Sequence, residues 1–227
     1  MILAVAGGKG GVGKSTLSYN LGAALDAAVV DANLAMADLP TGRGPDLHDV
    51  LAGRAEPLEA VRGDPVPILP CGRSLAGARA ADVTRLEGVV DAVAAEHGRV
   101  VVDCPAGLRA DAGVPLAVAD LALVVASPRR FALADAMRTR ELARELDAAL
   151  AGVVLNRVVD APPTAAVERA LGAPAVAVPA DPRLGRSVRE NRPVVTAHPG
   201  SELAAAVEAV ADRVRACLPT DQSRRSV

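Results

Sequence analysis

Nine residues near the start of this sequence, Gly8-Lys9-Gly10-Gly11-Val12-Gly13-Lys14-Ser15-Thr16, constrain the chain more than any other stretch. They follow a short apolar run, Ile2-Leu3-Ala4-Val5-Ala6, and lead into an apolar-periodic segment from Lys14 to Leu25. Strand, glycine loop and helix in that order are the context in which G-x-x-x-x-G-K-[ST] binds phosphate. Gly8, Gly13, Lys14 and Ser15 fill the pattern. Without side chains the loop can curl so that its N–H groups face an anion at the helix start. Lys14 then reaches the outer phosphates of a nucleotide, and the Ser15 hydroxyl suits a magnesium ligand.

Lys9 and Lys14 are the only lysines in the chain, so 23 of its 25 basic residues are arginine. Lysine is a compact point charge and arginine a planar fork. A background bias accounts for the arginines but not for two lysines kept in one loop.

The early lysine of Lys9-Gly10-Gly11-Val12-Gly13-Lys14-Ser15 resembles the deviant Walker A box of the MinD/ParA ATPases. The resemblance runs from Met1 to about Val195. It implies a single P-loop domain that binds Mg²⁺ and ATP, and a role for Lys9 across an ATP-dependent homodimer.

Composition narrows the setting. The 227 residues are 51% hydrophobic and 23% charged with net charge −2, which suits one ordinary α/β domain and argues against a dedicated nucleic-acid binder. Tyr19 and Phe131 are the only aromatics, too few for a base-stacking platform. Cys71, Cys104 and Cys217 are scattered with no C-x-x-C, the pattern of buried thiols in a reducing compartment. No signal peptide or bilayer-length apolar run is visible, so the expected location is cytoplasmic, with any surface reached through a partner.

Short valine-rich runs alternate with helical patterns, predicting a three-layer α/β fold with a mostly parallel sheet. The expected strands are residues 2–6, 28–31, 66–69, 99–103, 121–126, 152–156 and 175–178. The expected helices are 14–25, 82–96, 133–150, 164–171, 183–191 and 202–218. Residues 1–218 form one domain in this reading, and 219–227 a polar, frayed tail.

Ligands of such sheets sit at the carboxyl ends of the strands. The second run ends in Asp31-Ala32-Asn33. Asp31 is placed either to reach the water shell of a magnesium ion or to cap a turn. MinD/ParA proteins carry Asp-x-Asp here, and by resemblance the second aspartate orients the attacking water; this chain has Asn33. An amide accepts a hydrogen bond but takes no proton. Phosphoryl transfer depends mostly on positioning and electrostatics, so slow turnover is expected rather than none. The spacing of Asp38, and Leu47-His48-Asp49-Val50-Leu51-Ala52-Gly53, resemble the CpaE/TadZ branch of the family. Asp38 is not expected to replace the missing carboxylate.

The fourth run, Val100-Val101-Val102-Asp103, is a Walker B pattern, with Asp103 holding the metal through water. Asp103-Cys104-Pro105-Ala106-Gly107 matches the family closely, which implies a γ-phosphate-sensing role for Gly107. The sixth run ends at Asn156-Arg157. Asparagine there is either a turn cap or, as the family places it, the reader of the adenine edge. Val178-Pro179-Ala180-Asp181 resembles the family's second base-side loop, adding Pro179 and Asp181 to the nucleotide-binding set.

Two weaker features read as ordinary structure. Arg183, Arg186, Arg189 and Arg192 recur every third residue, but steps of three fan over half a helix, as a solvated face does. The last helix has Leu203, Val207, Val210, Val214, Cys217 and Leu218 on one side, with no bulky anchor or basic face, and is expected to pack on the sheet.

These features together predict a slow MinD/ParA-type ATPase switch in spatial positioning or partitioning, working with an activating or cargo protein. Two alternatives stand beside it: a nucleotide-gated scaffold that does not hydrolyse, and a cluster carrier.

Overall fold

The computed structural model describes residues 1–34, 37–40, 42–107, 110–128 and 130–218, without the side chains of 110–112 and 130–132. The expected tail at 219–227 and the side chain of Phe131 lie outside the described residues.

Seven strands form one sheet: β1 Ile2–Ala6, β2 Ala28–Asp31, β3 Ile68–Leu69, β4 Val100–Asp103, β5 Leu121–Ala126, β6 Ala149–Val158 and β7 Ala175–Pro179. Their order is β3-β2-β4-β1-β5-β6-β7, and every strand pairing is parallel. The helices are α1 Lys14–Leu25, α2 Leu47–Leu51, α3 Pro57–Ala60, α4 Leu75–Ala80, α5 Leu86–His97, α6 Ala110–Ala117, α7 Arg130–Glu145, α8 Thr164–Leu171, α9 Pro182–Arg189, α10 Val194–Ala197 and α11 Glu202–Ala216.

Three layers follow from the two-residue period of the strands. Leu3 and Val5 of β1 face a cluster shared with Leu17 and Leu21 of α1 and Val207 and Val210 of α11. Ile2, Ala4 and Ala6 face the opposite cluster, with Val50 of α2 and Val89, Val90 and Val93 of α5. A third cluster joins β5 and β6 to α7 and α8. Because both faces are covered, the strands are apolar up to the polar residues at their carboxyl ends, and β1, β4 and β5 are buried along their whole length.

Several boundaries move. The expected helix over 133–150 is α7, which stops at Glu145, and Ala149-Leu150 opens β6. Asp147 adopts a left-handed φ of 60° and turns the chain there. Residues 82–85 form a 3₁₀ turn over Val83–Arg85 before α5. The arginine segment is helical only to Arg189, so Arg192 lies beyond α9. In α11, Leu203, Val207, Val210 and Val214 are buried on the sheet, whereas Cys217 is exposed, against its expected place on the apolar side. No helix among the described residues is long and apolar enough to cross a membrane.

Candidate functional site

The strand order brings the candidate residues together. β1 lies between β4 and β5, so the loop after β1 emerges beside the end of β4. Gly13 is the residue before α1 and has φ 96°, a left-handed conformation open to glycine. No side chain caps α1, and its uncapped first N–H groups suit an anion. A Cβ on Gly13 would lie 2.3 Å from Asn156 Nδ2, so glycine is needed for space as well as for backbone.

Lys14 is buried, with its ammonium 3.5 Å from the Lys9 carbonyl. Lys9 is more than half exposed and pairs with Asp135 of α7 at 3.6 Å. Close approach makes that pair possible: a Cβ on Gly8 would sit 2.5 Å from Asp135 Cβ.

Asp31 and Asp103 are partners in register at the ends of β2 and β4, and both are wholly buried. Ser18 Oγ donates to Asp103 Oδ1 at 3.1 Å, and the nearby Ser15 hydroxyl also favours the Asp103 anion. The Asn33 amide N–H donates to Asp31 Oδ1 at 3.2 Å. The Oδ2 atoms of both aspartates are buried without a hydrogen-bond partner. Burial, then the charge of Asp103, pushes Asp31 up to about 8. Burial also raises Asp103, to about 6, against the Ser15 hydroxyl and the Lys14 ammonium, which favour its anion. Asp103 is therefore the better anion and Asp31 the more easily protonated partner. Asp38 adds negative charge near both.

Two adjacent carboxylate oxygens with no protein donor fit a divalent cation and its water shell. The residues that would hold it are Ser15, Asp31 and Asp103. Among the described residues, no group of three or more His, Cys, Asp and Glu is arranged to ligate a metal. Cys71 and Cys104 are both buried, and burial raises each thiol.

The base-side candidates converge as well. Thr16, Gly13, Asn156, Arg157, Pro179 and Asp181 line a cavity of about 350 Å³ between the loop and α9. Asn156 Nδ2 donates to the Val12 carbonyl at 2.8 Å, and its Oδ1 accepts from Arg157 N. One amide hydrogen and one carbonyl lone pair of Asn156 remain. The Asp181 carboxylate caps α9 and binds Arg183 at 2.6 Å, which holds it below the usual carboxylate range. A larger cavity, about 680 Å³, is lined by Lys9, Gly10, Gly11, Val12 and the segment from Arg157 to Pro163. Gly107 has φ 102°, and its N–H donates to the Gly7 carbonyl at 3.4 Å.

Two residues of this region escaped sequence reasoning. Asp135 lies over a hundred residues from Lys9 and follows no motif. Ser18 sits one turn beyond Lys14 and looks like any polar helix residue until β4 is placed beside it.

Residues 3–194 match the model of the CobQ/CobB/MinD/ParA nucleotide-binding domain. An uncharacterised ATP-binding protein of Methanocaldococcus jannaschii is 33% identical over 93% of this chain and 86% of its own length. The MinD cell division ATPase of Pyrococcus furiosus superposes with a TM-score of 0.88 at 31% identity, over 96% of this chain and 99% of its own. MinD of Pyrococcus horikoshii, complexed with Mg-ADP, gives 0.86 at 30% identity over 94% and 95% of the two chains. The glycine loop, the paired aspartates and the parallel sheet thus belong together, and the chain is a member of the CobQ/CobB/MinD/ParA nucleotide-binding family.

Proposed function

We propose that this chain is an ATP-driven switch of the MinD/ParA type, which binds Mg·ATP, dimerises on it and hydrolyses it slowly to position or partition a cellular structure through a partner protein. The observation that carries the reading is the pair of unpartnered aspartate oxygens beside the Gly13 turn and Lys14. It is the donor set of a phosphate-bound divalent cation.

Gly8, Gly10, Gly11, Val12, Gly13 and Thr16 contribute the backbone cradle, and Lys14 the point charge on the outer phosphates. Ser15, Asp31 and Asp103 hold the metal, which when bound neutralises charge developing on those phosphates. Gly107 lies against the loop at Gly7, where a third phosphate would be felt. Asn156, Arg157, Pro179 and Asp181 border the base cavity. Lys9, facing the larger cavity, acts across the dimer. Asn33, held on Asp31, orients the attacking water without taking its proton.

The exposed Arg186 and Arg189 of α9, with Arg192 just beyond its end, make a basic surface that an acidic partner would fit. No nucleic-acid or membrane contact is assigned.

Phosphate release from Mg·ATP, measured beside sizing in ATP and in ADP for wild type and Asn33→Asp, tests the reading. Slow release that rises in the variant supports a tuned switch. An ATP dimer with no release in either chain supports the scaffold instead. No nucleotide-dependent dimer at all overturns both.

A further inference from the structure

The segment that carries Asn33 is held at consecutive backbone positions. Ala32 N donates to the Asp103 carbonyl at 3.0 Å, Asn33 N to Asp31 Oδ1, and Leu34 N to the Ala32 carbonyl at 3.0 Å. The Leu34 carbonyl meets a side chain: His48 Nε2, 3.1 Å away, on α2. Cys71 Sγ lies farther from the same nitrogen, at 3.6 Å, and turns its own hydrogen to the Gly72 carbonyl at 3.4 Å. A carbonyl only accepts, so with the shorter contact satisfied Nε2 carries the hydrogen and Nδ1 is the bare nitrogen.

That bare nitrogen is buried without a hydrogen-bond partner, and His48 as a whole is 2% exposed. A half-satisfied imidazole in a buried site is costly, and a leucine would fill the space without that cost. The surrounding chain nevertheless makes room for the ring. A Cβ on Gly72 would lie 2.2 Å from Nδ1, and one on Gly77 would lie 2.9 Å from it. The Leu34 side chain packs on the cluster that contains Leu47, Val50 and Leu51, the neighbours of His48 on α2. Residue 34 is therefore held at its carbonyl by α2 and at its side chain by the core cluster to which α2 contributes.

We propose that His48 is the positioning residue of the water-orienting segment, fixing the Leu34 carbonyl and, one peptide away, Asn33. The role of Asn33 rests on the ATPase reading above; the fastening of the segment does not. An amide contributes to phosphoryl transfer only by where it stands, so looseness in its backbone acts directly on rate.

The test compares wild type, His48→Leu and His48→Gln as the full chain. Glutamine presents an N–H donor at about the reach of Nε2; leucine keeps the volume and removes the donor. The readouts are single-turnover phosphate release from Mg·ATP, the Kd for Mg·ADP, hydrogen exchange of the Asn33 amide with Mg·ADP bound, and the thermal midpoint. The expected result is a 10- to 100-fold fall (about) in release for His48→Leu. Its Kd stays unchanged, the Asn33 amide exchanges faster, and the midpoint does not fall. His48→Gln recovers most of the release and the protection. Wild-type release and exchange in His48→Leu would overturn the proposal, as would His48→Gln failing alongside His48→Leu with a lowered midpoint. If wild type itself releases no phosphate, the ATPase reading fails, and the exchange arm still decides whether His48 holds the segment.

Discussion

Asp31 and Asp103 stand opposite each other in register at the ends of neighbouring strands, each with one carboxylate oxygen that meets no protein donor. Two like charges in a dry site oppose each other until a cation arrives. In the empty protein this is a cost to folding, and it is borne mainly by Asp31, the less supported of the two.

The cost sets a pH dependence. Burial and the Asp103 charge push Asp31 up to about 8 in the folded chain from an ordinary 3.8. Between those values the unfolded chain has lost the proton that the folded chain keeps, so stability falls as pH rises through the window. Asp31→Asn keeps an acceptor for the Asn33 amide and removes the charge. At pH 8 it is expected to stabilise the nucleotide-free protein by about 1–3 kcal/mol and to flatten this part of the slope. It should also shrink the added stabilisation from Mg·ADP. Thermal melts between pH 5 and pH 8, with and without Mg·ADP, check both signs.

Lys14→Arg tests why lysine is kept in the loop. A buried point charge is replaced by a fork that needs a plane of its own. Loss of a buried charged contact of about 2–4 kcal/mol would weaken ATP binding by about 30- to 1000-fold. Titration calorimetry reads it, and retention of wild-type affinity would remove Lys14 from the phosphate site.

Lys9→Ala is expected to leave ADP binding by the monomer intact and to abolish the ATP-dependent dimer. Asp135→Asn should act oppositely, because it removes one of the groups that hold Lys9 within its own chain. Lys9 is largely exposed, so the pair is weak, about 0.2–1 kcal/mol. Because the pair is lost in both protomers of a homodimer, a gain in dimer affinity of no more than about 30-fold is expected. Sedimentation in ATP and in ADP separates the two variants.

Gly13→Ala meets Asn156 and a left-handed backbone at once. The single variant should lose nucleotide binding and about 1–3 kcal/mol of stability. Adding Asn156→Ala relieves the contact at 2.3 Å but not the φ of 96°. Recovery in the double variant is therefore expected to be partial, which a double-mutant cycle in denaturant would show.

Much of the site is legible in the sequence because its parts lie at strand ends. Lys14–Leu25, Leu121–Ala126 and Thr164–Leu171 form the predicted elements to the residue. Buried strands of a parallel sheet are continuous apolar runs, and the aspartates that end them stand out.

What the sequence hides is of two kinds. Asp147 turns the chain at positive φ without being glycine, so the alanine- and leucine-rich start of β6 reads as more of α7. The short helices α2 and α3 have little periodicity of their own, although the Asp46–Asp49 and Glu56–Glu59 capping boxes mark where they begin. Contacts between segments far apart in the chain are hidden altogether. His48 acts on a carbonyl fourteen residues earlier, and Asp135 on a loop met only after folding. Asp181 was legible as a residue of the base cavity but not as the cap of α9 bound to Arg183.

α1 is tied to the far side of the cavity by two adjacent residues. Asn20 Nδ2 donates to Ser187 Oγ and its Oδ1 accepts from Val194 N, joining α1 to α9 and α10, and Tyr19 beside it donates to Asn191 Oδ1 at 2.9 Å. The chain has no tryptophan and this one tyrosine. Burial pushes the phenol up to about 12, so it stays protonated through neutral conditions. The protein thus carries its single tyrosine at the joint between α1 and the segment that follows α9. Any tilt of one against the other is open to an optical readout with no label attached.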